Sequence, residues 1–460
     1  MDILPLVEGG KGVSASNGRS AGHWARSGGV GTFSAVNADS YDAQGRVIPQ
    51  IYHGRTRRER HEELIRYAIE GGVAQARQAW EISGGKGRIH ANILWEMGGA
   101  ERVITGILER TKGIVNGITC GAGMPYRLSE IAARFNVYYY PIVSSGRAFS
   151  ALWKRAYFKV AHLLGGVVYE DPWLAGGHNG LSNSEDPEKP ESPYPRLVAL
   201  RKTMREFGLH DTPIIMAGGV WALDEWKDYI ENPEIGPIAF QFGTRPLLTK
   251  ESPIPQSWKE RLLKLKPGDV TLNRFSPTGF YSSAVNNDFL RELRARSERQ
   301  VAYSPEAVGE HVVEYGVGAR KRPVFLTAPD LARAKEWEGQ GFTEALRTPD
   351  STLIFVTPDK AREIHADQVN CMGCLSQCRF SNWSQTPPSY DNGKKADPRS
   401  FCIQKTLQAI AHAADDDEAA MDNNLMFAGH NAHRFATDPF YSNGFIPTVK
   451  QLIERLLTGK

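Results

Sequence analysis

The sequence predicts an α/β protein that begins as a series of βα units and continues as a mainly helical segment. Three observations support this: short apolar runs in the first 255 residues, amphipathic stretches between those runs, and a polar, helical pattern afterwards. Short apolar runs bounded by Gly, Pro or polar residues are typical of strands buried on both faces of a parallel sheet. The pattern alone does not distinguish a closed (β/α)8 barrel from an open doubly wound sheet.

The apolar runs give the positions of the strands, and the amphipathic stretches give those of the helices. We predict strands at 88–94, 113–118, 138–143, 166–169, 213–217 and 237–242. Helices are predicted at 126–135, 223–230, 289–299, 331–340 and 447–457. The expected domains are a βα region at 1–255, a mainly helical cap or insertion at 256–420, and a C-terminal segment at 421–460 that packs back on the first region.

The composition is that of an ordinary globular protein, with 41% hydrophobic and 23% charged residues. The net charge of +3 comes from 55 basic and 52 acidic residues, which is too balanced to indicate nucleic acid or an acidic membrane as a partner. The start Met1-Asp2-Ile3-Leu4-Pro5 has no basic region followed by a long apolar run, so no secretory signal is predicted. We therefore expect a soluble cytoplasmic protein.

Two glycine motifs follow neighbouring predicted strands and suggest a phosphate site. Gly218 and Gly219 end one apolar run, and Gly243 and Thr244 end the next. Glycines at the carboxyl end of a strand let backbone N–H groups approach an anion, and this is the common phosphate position in barrels. Either motif alone is explained equally well by a tight turn. The pair at this spacing favours a shared phosphate.

A third glycine-rich loop carries a histidine, His178, just after the predicted strand at 166–169. An imidazole has an unperturbed pKa of about 6.5, so it can transfer protons near neutral pH. A loop histidine with no chemical role is the alternative, and most of the 12 histidines fit that description. His178 is the candidate catalytic residue.

Taken together, these motifs resemble the nitronate monooxygenase family, which also includes flavin-dependent enoyl reductases and quinone reductases. The Ala175–Gly180 segment is similar to the Ala-Gly-Gly-His signature of that family, and Asn92 stands where the family has an asparagine that reaches the flavin. The family often has glutamine seven positions before the histidine, where this chain has Asp171, so the resemblance does not fix the substrate. Further similarities occur in order along the chain at 5–10, 20–31, 121–125, 217–219, 241–244 and 429–433.

The resemblance implies a (β/α)8 barrel of the TIM type that binds FMN. His178 would act as the base or would orient the substrate beside the isoalloxazine ring. The flavin phosphate would be bound by Gly218, Gly219, Gly243 and Thr244. The other residues expected to contact the cofactor are Gly9, Gly10, Asn92, Asp171, Gly176, Gly177, Gln241 and Phe242.

Four of the five cysteines lie close together in sequence, within the predicted cap. Cys371, Cys374 and Cys378 have the spacing Cys-x2-Cys-x3-Cys, and Cys402 follows them. Four thiolates are the ligands that a [4Fe–4S] cluster requires, and the loop resembles that of the 2,4-dienoyl-CoA reductase family. Structural zinc and four unligated thiols are the alternatives. Cys120 lies alone in a predicted strand and is expected to be an ordinary buried thiol.

The leading functional prediction is therefore an FMN-dependent oxidation of a nitronate, or of a similar small carbanion-like substrate, by dioxygen. One alternative is an FMN and iron–sulfur reductase of an activated double bond or a quinone. Another is a non-enzymatic redox sensor that carries flavin and a cluster. The partners considered are a small-molecule substrate, NAD(P)H, an electron-carrier protein and a second copy of the chain; nucleic acid and membrane are not expected.

Overall fold

A computed structural model describes residues 3–459, so the start that bears on a secretory signal lies partly outside the described residues. Eight parallel strands form a closed barrel, in which the first strand pairs with the second and with the last. This confirms the predicted barrel. The strands are β1 (Leu6–Glu8), β2 (Val30–Ser34), β3 (Arg88–Leu94), β4 (Gly117–Gly121), β5 (Tyr138–Val143), β6 (Val167–Glu170), β7 (Ile214–Ala217) and β8 (Ile238–Phe242).

Helices surround the barrel in the order expected for βα units. They are α1 (Gly18–Arg26), α2 (Arg57–Ser83), α3 (Ala100–Arg110), α4 (Leu128–Phe135), α5 (Gly146–Arg155) and α6 (Pro193–Glu206), with a 3-10 segment at Tyr157–Leu163. The helix predicted at 223–230 is wrong, because only a 3-10 turn, Leu223–Trp226, forms after β7. A second 3-10 turn, Arg245–Leu247, follows β8.

Side chains alternate between the inside and the outside of the barrel, as the pleat of a strand requires. Val168 and Ile215 pack in a small apolar core inside the barrel. Val167 and Tyr169, their neighbours on β6, pack outward in the larger core under the helices. This alternation determines which residues at the strand ends face the space at the mouth of the barrel.

Residues after β8 add helices and short antiparallel sheets. The helices are α7 (Gln256–Leu262), α8 (Asp288–Glu298), α9 (Ala328–Gly339), α10 (Pro358–Val369), α11 (Ile403–Ala411) and α12 (Glu418–Asn423). Sequence reasoning did not predict the strands of this segment, which are two to five residues long. They are Val270–Asn273, Ser282–Val285, Gln300–Ala302, Val313–Val317, Arg322–Leu326, Glu344–Arg347, Thr352–Val356, Gln377–Cys378 and Trp383–Ser384.

The C-terminal helix α13 (Val449–Thr458) lies against the barrel. Its apolar residues Val449, Leu452, Ile453 and Leu456 belong to the same buried core as the helices that follow the strands. Two 3-10 segments, His430–Ala436 and Pro439–Gly444, precede it. Among residues 3–459, none of the helices combines the length and the apolar character that a membrane span requires.

Candidate active site

A cavity lies at the mouth of the barrel and is bounded by the loops that follow several strands. In barrels of this type the loops at the carboxyl ends of the strands form the active site. Most of the residues predicted from the sequence meet in this cavity, although they come from five strand ends. Those that line it are Gly9, Gly10, Asn92, Gly176, Gly177, His178, Gly218, Gln241, Gly243 and Thr244.

The loops after β7 and β8 provide unpaired backbone donors. Within residues 3–459, the amides of Gly218 and Gly243 donate to no other protein group. A Cβ atom added at Gly243 would have no heavy atom within 4 Å, so the backbone here borders open space. Gly218 has a φ of +85°, a conformation that favours glycine. Free N–H groups beside open space are suited to binding an anion.

A segment near the C-terminus covers these glycine loops. The Gly429 amide donates to Thr244 Oγ1 at 3.1 Å, and the Asn431 side chain donates to the Gly219 carbonyl at 2.7 Å. A Cβ atom on Gly176 would lie 2.6 Å from the Gly429 nitrogen, so the close approach of the two chains requires glycine at position 176. Gly429, at the start of the 429–433 segment, therefore borders the cavity.

His178 is attached to two parts of the chain. It pairs with Ser282 in a short antiparallel ladder, so its backbone is held by the strand Ser282–Val285. Its Nε2 atom lies 2.6 Å from Ser276 Oγ, and its ring contacts the Phe427 ring edge-on with centroids 5.5 Å apart. Burial lowers the pKa of His178 to about 4. The imidazole is therefore uncharged at neutral pH and can accept a proton.

Three of the predicted cofactor residues do not line the cavity. Asp171 is fully buried, and its Oδ1 atom accepts hydrogen bonds from the amides of Trp173 and Leu174, so it stabilises the turn after β6. The Phe242 ring faces outward and stacks against Trp24 at 6.4 Å. Gly219 packs against Leu174, where a Cβ atom would come within 2.6 Å. Their contact with a cofactor stays a prediction.

The structure adds three polar residues that sequence reasoning missed. Lys11 and Glu170 line the cavity, and Ser276 contacts His178 from the segment after β8. Strand alternation could have revealed Glu170, since it is two residues after the inward-facing Val168. Lys11 directly follows the two glycines of the first loop. No local signal indicated Ser276, because it reaches the site through a sheet that forms only in the folded chain.

The four clustered cysteines come together next to this cavity. Cys374 lines it, and the Gly98 amide donates to the Cys374 carbonyl at 2.9 Å, which joins the cysteine loop to the loop after β3. Burial and the neighbouring Cys402, Cys371 and Cys378 raise the pKa of Cys374. Cys371 Sγ accepts hydrogen bonds from the Gly373 amide at 3.4 Å and from the Ser381 hydroxyl at 3.2 Å.

These contacts provide the donor chemistry of a sulfur-ligated metal. Within residues 3–459, no group of three or more His, Cys, Asp or Glu residues is arranged to hold a metal ion. The structure therefore does not show a [4Fe–4S] cluster. Cys120 is fully buried in β4, which confirms the prediction of an ordinary buried thiol.

Two arginines at the start of α2 hold the cysteine loop in place. Arg57 donates to the Ser381 carbonyl at 2.8 Å, and Arg60 donates to the Cys371 carbonyl at 3.0 Å. The same helix begins with a capping box between Thr56 and Glu59. A basic run such as that at 55–61 is usually a solvated face, but these two arginines bind backbone carbonyls of the cysteine loop.

A closed (β/α)8 barrel with free backbone amides and an uncharged histidine at its mouth has the architecture of barrel enzymes that bind a phosphate-bearing ligand. The sequence model of the nitronate monooxygenase family matches residues 167–459. The chain belongs to the nitronate monooxygenase family, and it is a flavin-dependent oxidoreductase. This confirms the family and the enzyme class predicted from the sequence.

The fold is similar to that of a solved enzyme domain, and two further solved structures are less similar to it. The enoyl reductase domain of MlnA from Bacillus amyloliquefaciens is 12% identical over 98% of this chain and 93% of that chain, with a TM-score of 0.56. FabK from Thermotoga maritima is 15% identical over 99% and 91%, with a TM-score of 0.49. Nitroalkane oxidase from Streptomyces ansochromogenes is 18% identical over 63% and 78%, with a TM-score of 0.46. No curated protein sequence matches the chain.

Family membership implies FMN, and the residues present fit that cofactor. The free amides of Gly218 and Gly243 can bind a phosphate, and the open space beside Gly243 leaves room for it. Gly10 approaches Asn92 so closely that a Cβ atom would lie 2.2 Å from the Asn92 Cβ, which brings both residues to the cavity wall. The free amides and the open space beside Gly243 thus fit the phosphate of a flavin mononucleotide.

Proposed function

We propose that this protein oxidises nitronates, or similar small carbanion-like substrates, with dioxygen. The observation that carries this proposal is His178, an uncharged imidazole at a strand end inside the glycine-lined cavity. When bound, FMN would supply the redox chemistry, taking electrons from the substrate and passing them to dioxygen. The residues of the chain bind and orient the substrate and handle its proton.

The state of the substrate decides what His178 does. A neutral nitroalkane has a C–H bond next to the nitro group, and the imidazole takes that proton, so the C–H bond breaks and an N–H bond forms. The products are an imidazolium and a nitronate anion, and their attraction offsets the cost of a charge in a buried site. A nitronate that arrives already deprotonated needs no base, and His178 then orients it.

The neighbours of His178 limit how the ring can move. The Nε2 atom of His178 is hydrogen-bonded to Ser276 Oγ at 2.6 Å. Thr278 Oγ1 lies 2.8 Å from the same Ser276 hydroxyl. Phe427 covers one side of the ring. A substrate can therefore approach only part of the imidazole, which favours one orientation in the cavity.

The direct test is oxygen consumption by the purified flavoprotein supplied with a nitronate, and separately with its parent nitroalkane. We expect oxygen uptake with the nitronate, and anaerobic bleaching of the flavin absorbance by the same substrate. A control reaction contains the nitronate and free FMN but no protein, and it measures the oxygen uptake that does not depend on the protein. Absence of both oxygen uptake and anaerobic bleaching with a series of small nitronates would contradict the proposal.

A reductase of an activated double bond or a quinone is the second candidate. It is favoured by the position of Cys374, which lines the same cavity as His178 and lies beside three further thiols. If these thiols held a [4Fe–4S] cluster, it would supply one-electron transfer beside the flavin site. Anaerobic addition of NADH or NADPH separates the candidates, because flavin bleaching by the nicotinamide supports the reductase.

The metal content of two cysteine variants tests the proposed cluster. We expect Cys374→Ser to lose most of the iron found in the wild-type protein and to keep its FMN, because the thiolate is replaced while the glycine loops are untouched. Cys120→Ala, which removes a buried thiol from β4, is the matched control and should keep its iron. Iron and sulfide analysis after anaerobic purification measures this.

Two results would count against the cluster. A wild-type protein without iron would exclude it, and zinc in its place would indicate a structural site. Full iron retention in Cys374→Ser would show that the metal is bound elsewhere.

A further inference from the structure

Glu170 is a carboxyl group at the mouth of the barrel that the proposed reaction does not use. It is the last residue of β6 and pairs with Ala217, which in turn pairs with Gln241 on β8. Its position two residues after Val168 places it on the inward side of the strand. The side chain lines the cavity at the carboxyl ends of the strands. It therefore faces whatever molecule occupies that cavity.

The protein provides no partner for a charge on this carboxyl. Within residues 3–459, the Glu170 side chain takes part in no hydrogen bond or ion pair. The cation in the same cavity, Lys11, donates to the Gly9 carbonyl at 2.6 Å and lies 3.5 Å from Glu8 Oε1. His178 is uncharged and bonded to Ser276, and the Cys374 thiol is buried.

Burial, and to a smaller extent the adjacent Asp171, raise the pKa of Glu170 to about 8. Glu170 is only partly exposed and has no cation beside it, so a charge on its carboxyl is costly and the neutral acid is the favoured form at neutral pH. A neutral carboxylic acid has an O–H donor, which a carboxylate lacks. His178 and Glu170 are thus both uncharged in the cavity, but their roles differ. The imidazole of His178 can accept a proton, whereas the carboxyl group of Glu170 can donate a hydrogen bond.

We propose that Glu170 acts as a neutral carboxylic acid that donates a hydrogen bond to an electron-rich oxygen or nitrogen of the molecule in the cavity. Two sources have this chemistry: an acceptor atom of the flavin ring, and an oxygen of an anionic substrate. The second source rests on the proposed nitronate oxidation, and the first does not. In both cases a carboxylate at this position would repel the electron-rich group that the acid attracts.

The raised pKa of Glu170 makes the stability of the folded chain depend on pH. The folded pKa is above the ordinary value of 4.5, so the folded chain keeps this proton longer than the unfolded chain does. The stability contributed by the group is complete below pH 4.5 and is lost as the pH rises to about 8. A side chain that stays neutral at every pH should not show this loss.

The test compares the purified flavoprotein with Glu170→Gln, which remains a neutral donor, and Glu170→Met, which has a similar size and no donor. Glu206→Gln, which replaces an exposed carboxylate on α6, is the matched control. Three quantities are measured between pH 5 and 9: the melting temperature, the dissociation constant of FMN from its fluorescence, and the affinity for nitrate from changes in the flavin absorbance. Nitrate is a planar anion that resembles the oxygen end of a nitronate, and none of these readouts requires turnover.

As the pH rises toward 8, we expect the melting temperature of wild type to fall by about 2 °C or more relative to that of Glu170→Gln. The melting temperature of the control, Glu206→Gln, should change with pH as that of wild type does. If the flavin accepts the hydrogen bond, Glu170→Met should bind FMN about tenfold more weakly and Glu170→Gln should not. If the substrate accepts it, wild type should lose nitrate affinity above pH 8, Glu170→Met should bind nitrate weakly throughout, and Glu170→Gln should show neither effect.

The proposal is overturned if all the proteins have the same dependence of melting temperature on pH and both variants bind FMN and nitrate as wild type does. If one variant fails to fold, the other still decides the question, because each is compared with wild type over the same pH range. If the protein does not turn over nitronates, the measurements of FMN binding still test whether Glu170 donates a hydrogen bond to the flavin. The proposed nitronate oxidation and the proposed role of Glu170 can therefore fail separately.

Discussion

Replacing His178 with alanine is expected to lower kcat/KM for a nitroalkane by about 100- to 10,000-fold, the usual contribution of a positioned general base. FMN should stay bound, because the glycine loops that would hold its phosphate come from other strands. Steady-state oxygen consumption gives the rate, and flavin absorbance gives the occupancy. The effect should be smaller with a preformed nitronate, since that substrate needs no proton removal.

The control for this variant is His53→Ala, which changes an exposed histidine outside the cavity. Wild type should also lose activity as the pH falls toward the pKa of about 4 of His178, because the protonated ring can no longer accept a proton. Equal rates for His178→Ala and wild type with both substrates would remove His178 from the mechanism.

Replacing Gly243 with valine is expected to weaken FMN binding by about 10- to 100-fold. A side chain here meets no protein atom within 4 Å of its Cβ, so it projects into the space proposed for the phosphate. A hydrogen bond to a charged group contributes about 1.5–3 kcal/mol, and this is the interaction that the valine would displace. Fluorescence titration of the protein with FMN measures the change.

Gly339→Val is the matched control, because a Cβ atom at Gly339 also has no neighbour within 4 Å and the residue lies at the end of α9. Both variants should melt at the same temperature when FMN is absent. Unchanged FMN affinity in Gly243→Val would place the phosphate elsewhere. A large loss of melting temperature without FMN would attribute the effect to folding instead.

Most strand positions could be predicted from the sequence because the barrel strands are largely buried on both faces and therefore appear as continuous apolar runs. The prediction for β3 matches the observed Arg88–Leu94, and that for β8 differs by one residue. The short segment after β7 failed as a helix, since Leu223–Trp226 forms only a 3-10 turn. The spacing of apolar residues indicates a helical period, but it does not show whether a short segment is stable as an α-helix.

The strands beyond β8 could not be predicted in the same way. The strand Ser282–Val285 lies between Val270–Asn273 and the loop of His178, so it forms through contacts distant in sequence. Such short strands owe their stability to their partners rather than to their own residues. For the same reason, nothing in the local sequence indicated that Ser276 would reach His178.

The sequence by itself determined the succession of βα units, the glycine loops and the position of His178, because each of these depends on residues that are close together in the chain. The barrel and the family followed from the resemblance of these motifs to a known family. Only the tertiary structure decided that Phe242 faces Trp24, that Asp171 stabilises a turn, and that Glu170 and Lys11 share the cavity with His178. It also decided that Arg57 and Arg60 bind the cysteine loop. The physical reason is that side-chain direction, burial and charge compensation are set by neighbours that folding brings together from distant parts of the sequence.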